Sequence, residues 1–199
     1  MTGNRLSSSA CFLRMLVRLA EHEMRGPYTL VVMVRPKVPM YCLQCVPYVG
    51  ALGISKELGA QIAWPYHVVR RKQRLASIAA KCGYDEKGLF ARLEITANGP
   101  LTADVAVAAV DCIKQWEECI SAQRSAHMPI EGPLAPLLDE YADALEAFGE
   151  EVEVFFPNGR KVASGNFCGV DVWGRATVRL ASGRKIELAP EQASLRLPC

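Results

Sequence analysis

No apolar run in this chain approaches the ~20 residues that span a bilayer. The most apolar N-terminal stretch, Cys11 to Ala20, is cut by Arg14 and Arg18, which spoil both a span and the uncharged centre of a signal peptide. Charge of one sign is also missing. Against 21 Asp+Glu stand 23 Lys+Arg, a net charge of +2, so charge alone implies neither a nucleic-acid nor a membrane-surface partner. Histidines are few and scattered, at His22, His67 and His127. Of the 8 cysteines only Cys42 and Cys45 form a Cys-x-x-Cys, with no second pair at zinc-site spacing. No metal is therefore expected. No Ser-His-Asp or Cys-His system can be assembled, and there is no internal repeat or low-complexity tract. What remains is a chain of 199 residues, 50% of them hydrophobic, enough to bury a core without disulfides. Its expected location is the cytoplasm, with reduced thiols.

Residues 1 to 26 are polar, then mixed, and their role is open; a short helix is expected from Cys11 to Met24. Tyr28 to Arg35 is a β-branched run ended by Pro36, which predicts a buried strand. Helical spacing follows from Gln44 to Leu58, with Pro47 tolerable in a first turn and Gly59 able to close the end. Ala60 to Arg71 predicts two short strands about a turn, leading into the basic run Arg70, Arg71, Lys72 and Arg74. Leu75 to Cys82 and Leu89 to Thr96 flank Gly83 to Gly88 and predict a hairpin. Two amphipathic helices are then expected, one N-capped by Thr102 and running past Ile120, the other from Leu134 to Phe148. After Gly149 the pattern turns to period two, punctuated by Asn158-Gly159, Trp173-Gly174 and Ser182-Gly183, the mark of a small antiparallel barrel. The expected division is 1–148 and 149–199.

Read together, two stretches resemble the biotin protein ligases, which activate biotin with ATP and pass it to a lysine of a carrier domain. The motifs Lys-Trp-Pro-Asn-Asp, Lys-Leu-Ala-Gly-Ile and Gly-Ile-Gly-Ile-Asn-x-Asn of that family have counterparts in the same order. They are Ala63-Trp64-Pro65-Tyr66-His67, Arg74-Leu75-Ala76-Ser77-Ile78, and Arg92-Leu93-Glu94-Ile95-Thr96-Ala97-Asn98. The tail, with Gly169-Val170-Asp171 and Ala193-Ser194-Leu195-Arg196, resembles the family's SH3-like module. The resemblance implies an α+β fold: a mixed, mainly antiparallel sheet with packed helices of biotin/lipoate ligase type, followed by a small C-terminal SH3-like barrel. By position it implies ligand-binding candidates at Trp64, Pro65, Arg74, Ser77, Thr96, Asn98 and Asp171.

Adenylation sets two anions against each other, so its site must supply cations and close-approaching backbone. Here the family's lysine is Ala63, its Asn-Asp is Tyr66-His67, and two of its glycines are Arg92 and Glu94. No Gly-Arg-Gly-Arg-type loop precedes Tyr28 beyond Arg25-Gly26, and a DNA-binding helix-turn-helix has no counterpart. The expectation is a degenerate member, inactive or strongly impaired, which binds a small acyl-type ligand or a protein partner. Two alternatives stay open. One is an active ATP-dependent acyl ligase in which Arg74 and the Arg70–Lys72 run replace the lysine, with ATP, magnesium, biotin and a biotin-carrier-like protein as its company. The other is a pure interaction module. A homodimer through a sheet edge fits any of them.

Overall fold

The computed structural model describes residues 22–24, 28–99 and 102–198. Its larger layer is a six-stranded sheet in the order β1-β2-β6-β5-β4-β3, built from His22–Met24, Thr29–Val34, Gly88–Ala97, Gln73–Asp85, His67–Arg70 and Gln61–Ala63. All of these strands pair antiparallel. The sheet is thus antiparallel rather than mixed, with one isolated parallel bridge from Ile62 to Leu145 at the β3 edge. His22–Met24 is a strand, not the end of a helix: it pairs with the free edge of β2. The rest of that expected helix, Cys11 to Glu21, and Arg25-Gly26 lie outside the described residues.

Two helices cover one face. A 3-10 turn, Met40–Cys45, runs into α1, Val46–Leu58, whose residues Val46 to Ser55 are all buried. A helix apolar all round belongs inside a core, not on a surface. Pro47 occupies its first turn and Gly59, at φ +55°, ends it in the left-handed conformation. Across α1 runs α2, Ala103–Ser125, and the two approach closely because Gly53 has no side chain: a Cβ there would stand 2.3 Å from the Ala108 carbonyl oxygen. Thr102 has the extended conformation of an N-cap, but its side chain makes no capping hydrogen bond. Trp116, fully buried, donates its indole N–H to Pro133 O at 2.6 Å and ties α2 to the following loop.

The predicted hairpin is longer than expected. Tyr84 and Asp85 stay in β5, Gly88 opens β6, and only Glu86 and Lys87 make the turn. The second predicted helix is shorter. Only Leu138–Asp143 (α3) is α-helical, preceded by a 3-10 turn at Ala135–Leu137, while Leu145 joins the sheet edge and Phe148 is 56% exposed. A 3-10 turn and a bridging segment bury apolar groups at spacings close to helical ones, which is why the pattern reads as one helix.

The C-terminal strands β7 to β11 (Glu151–Phe155, Lys161–Val170, Ala176–Leu180, Lys185–Leu188, Ser194–Arg196) form a five-stranded antiparallel sheet in the order β10-β9-β8-β7-β11. Val152, Val154, Phe167 and Val178 bury one face of it in the same cluster that holds Trp64, Tyr141 and Leu145, so the two sheets share a core. Among the described residues, no helix is long and apolar enough to cross a membrane.

Candidate functional site

Strand register gathers the motif residues. Ala91, Leu93 and Ile95 of β6, with Ala76 and Ile78 of β5, face the helices and are buried; the residues between them point to the opposite face, which among the described residues carries no helix. On that face Ala63 pairs with His67, His67 with Ser77, Ser77 with Thr96, and Thr96 with Thr29, so the motif positions form one cross-strand row. The next two rows bring Ala79, Glu94 and Val31 together, then Lys81, Arg92 and Met33. Arg92 and Glu94, both half-buried, therefore cover the same face two and four residues from Thr96.

The Trp64-to-His67 turn is pinned from two sides. The Trp64 indole, 5% exposed, donates to Gly174 O at 2.9 Å, and the Tyr48 hydroxyl donates to the same oxygen at 3.1 Å. The Tyr141 hydroxyl donates to Pro65 O. Gly174 sits at φ +81°, with Tyr48 Cζ only 2.6 Å from where a Cβ would be. One backbone carbonyl from the C-terminal sheet thus anchors two aromatic side chains of the larger layer.

Beside this turn lies a cleft of about 430 Å³ between β3–β4 and the C-terminal sheet. Trp64, Pro65, Val69, Val152, Phe167, Leu195 and Leu197 give it apolar walls, and Lys72, Arg74 and Arg196 face one carboxylate, Glu146, across it. Arg196 also stacks on the Phe155 ring at 4.3 Å. Glu146 accepts the backbone N–H of Lys72 at 3.2 Å. Arg71 and Lys72 form the two-residue turn between β4 and β5 at φ +50° and +62°, a conformation side chains seldom adopt, which separates the basic run of the sequence. Arg70 points away and donates to Leu58 O.

His67 lines the cleft with its Nδ1 buried and without a hydrogen-bond partner. Burial, then the Arg74 charge, push its pKa down to about 4, so the ring is neutral at pH 7 and keeps one acceptor nitrogen. A buried ring nitrogen left unpaired costs free energy, and a ligand that pairs with it recovers that cost.

The structure divides the sequence candidates. Trp64, Pro65 and Arg74 line the cleft, with Ala63 and His67; Ser77 and Thr96 continue its row across the sheet. Asn98 does not reach it: its amide donates to Arg74 O at 2.7 Å and ties the end of β6 to the start of β5. Asp171 is spent on its own turn, accepting the N–H groups of Trp173 and Arg175 at 2.9 Å each and the Arg175 Nε at 2.6 Å. Tyr66 turns to the other side and packs edge-on against Tyr48 with ring centroids 5.5 Å apart. Glu146, Phe167 and Arg196 escape sequence reasoning as site residues. They lie 79 to 132 positions beyond Trp64 to His67 in the chain; no local pattern marks Glu146 or Phe167, and Arg196 stands in the tail motif Ala193–Arg196 without being marked there as a site residue. Among the described residues no group of three or more His, Cys, Asp or Glu side chains could hold a metal ion.

No protein-family model matches this chain, and no curated protein does. Solved structures do. The biotin protein ligase from Aquifex aeolicus aligns over 85% of this chain and 82% of its own with a TM-score of 0.59 at 16% identity, and its apo structure gives 0.60 over the same shares. The same ligase in complex with biotin and ATP gives 0.56 at 12% identity, over 85% of this chain and 78% of that one. The chain has the fold of those ligases.

Proposed function

We propose that this protein is a degenerate relative of the biotin ligases that binds a small acyl-type anion in the cleft beside Trp64, and that it is inactive or strongly impaired as a ligase. The observation that carries the reading is the cleft itself: apolar walls for a hydrocarbon chain, three cations against one carboxylate for an anionic head, and an unpaired His67 Nδ1, which in its N–H tautomer donates to a carboxylate. Tyr66, Arg92 and Glu94 are not among the side chains that line it, and an open cleft of this kind favours binding over a pure interaction module. Loss of ligase chemistry is argued from Ala63, which offers no cation at the head of the row, and from the side chains of Arg92 and Glu94, which occupy the face where a nucleotide would need bare backbone. We read the C-terminal sheet as a remnant of the family's SH3-like barrel.

A second reading has one observation in its favour: Arg74, Lys72 and Arg196 together could offset the charge of a carboxylate meeting a phosphate, as an active acyl ligase requires. Magnesium would have to come with the nucleotide, since the described side chains do not cluster to hold it. The edge of β5 beyond Ser77, where β4 has ended, remains a route to a homodimer or a carrier-like partner in either reading. Calorimetric titration with octanoate, lipoate and biotin, run beside a pyrophosphate-release assay with ATP and magnesium, separates the two. Carboxylate binding without pyrophosphate supports the proposal. Pyrophosphate release that Arg74→Ala abolishes favours the ligase, and no binding of any of the three acids overturns the proposal.

A further inference from the structure

A second cavity, about 490 Å³, lies on the far side of the Trp64-to-His67 turn, between the start of α1, β5 and the C-terminal sheet. Its chemistry differs from that of the first. Tyr66 and Trp173 supply two accessible aromatic rings beside the nearly buried Tyr48, Pro190 adds an apolar wall, and among the described residues the charged side chains on its surface are Arg175 and Glu191. Arg175 is already spent: it pairs with Asp171 at 2.5 Å and with Glu187 at 3.1 Å, so two carboxylates more than cancel its charge. Glu191 has no ion-pair partner among the described residues. Its carboxylate, after burial, helps push the Tyr66 phenol pKa up, a sign that its field reaches the cavity wall and that the phenol stays neutral.

From aromatic faces, one unpaired carboxylate and a neutralised arginine, we infer that this cavity is a binding site for a small organic cation of quaternary or N-methylated ammonium type. Aromatic rings attract a cation through their quadrupole, and a methylated ammonium, weakly hydrated, gives up little on moving from water to an aromatic wall, unlike a bare ammonium. The volume suits a small molecule, not a single ion. Trp173, which is 38% exposed and packs against Tyr41 with centroids 6.1 Å apart, is the lining ring most open to solvent and so the one whose signal should report a bound group. The site shares no lining residue with the anion cleft, so it stands whether or not that cleft binds an acid.

The test is an NMR titration of the full chain, following the three tryptophan indole N–H resonances, with choline as probe and its uncharged tert-butyl analogue as control. The Trp173 signal is identified by its loss in Trp173→Phe. Choline should shift the Trp173 resonance and leave that of the buried Trp116 in place, with an affinity at least about tenfold above the analogue's. Glu191→Gln, on an exposed side chain that should not disturb folding, should weaken choline about fivefold and leave the analogue unchanged. Equal binding of choline and its analogue overturns the inference. So does an absent Trp173 shift at about 50 mM choline, a concentration far above the range typical of small-molecule sites, and so does a choline affinity indifferent to Glu191→Gln.

Discussion

The two clefts on either side of the Trp64-to-His67 turn are built from neighbouring residues and have opposite chemistry. Trp64, Pro65 and His67 face a cleft with three cations and one carboxylate; Tyr66, between them in sequence, faces a cavity of aromatic rings with a free Glu191. A single carbonyl, that of Gly174, accepts from Trp64 in the wall of one and from Tyr48 in the wall of the other. The difference teaches that consecutive residues of one turn can line two separate cavities when their side chains leave it on opposite sides. Four consecutive residues become a partition.

The strongest way to break the comparison is to remove the shared anchor. Gly174→Ala forces a Cβ to within 2.6 Å of Tyr48 at a left-handed backbone position, so it should destabilise the fold by about 3 kcal/mol in urea unfolding and weaken both sites together. Trp64→Phe keeps the ring but loses the indole donor, leaving Gly174 O with Tyr48 alone. A cost of about 1–2 kcal/mol is expected, with octanoate binding reduced and choline binding kept.

The pH profile sharpens the contrast further, because His67 belongs to one cleft only. Below pH 6.5 the unfolded chain takes up a proton on this histidine, whereas the folded chain does so only near pH 4. The unfolded state thus binds more protons in that window, and stability falls as pH drops from 6.5 to 4, then levels off. Discounted for solvent screening, the loss should be on the order of 1–2 kcal/mol. His67→Gln should flatten that part of the unfolding profile; an unchanged slope would assign it to other groups. The smallest effect on stability, within about 0.5 kcal/mol, is expected of Arg74→Ala, which is exposed. Its octanoate affinity should nonetheless fall about tenfold while choline affinity stays put, and calorimetry on both probes reads the two at once.

Much of the fold was legible in the residues. Pro47 and Gly59 bracket α1, the Leu75-to-Thr96 hairpin pairs as its alternation requires, and the glycines at 159, 174 and 183 sit at turns with positive φ. The misreadings are of one kind. Leu134 to Phe148 has helical spacing but is divided among a 3-10 turn, a short helix and a sheet-edge bridge, because Leu145 gains more from pairing with Ile62 than from one more helical turn. His22–Met24 likewise takes the strand that the edge of β2 offers. In the first a partner remote in sequence overrode local preference; in the second the partner is the next strand, six to ten positions on.

The candidate site was legible only in part for the same reason. Motif order picked out Trp64, Pro65 and Arg74, and strand register puts His67, Ser77 and Thr96 on one face. Nothing local could announce that Asp171 would be consumed by its own turn, that the Asn98 amide would bond Arg74 O, or that Glu146 and Arg196 would complete the charge of the cleft.

The sequence by itself determined most of the strands and the two long helices, and hence the layered α+β scaffold, since periodicity and turn chemistry act between residues a few positions apart. Only the tertiary structure decided that the Trp64-to-His67 turn parts a basic cleft from an aromatic, acidic one. Which side chains share a cavity, and which charges cancel, depends on distances between residues more than a hundred positions apart in the chain, and electrostatic and aromatic interactions are set by those distances, not by order in the chain.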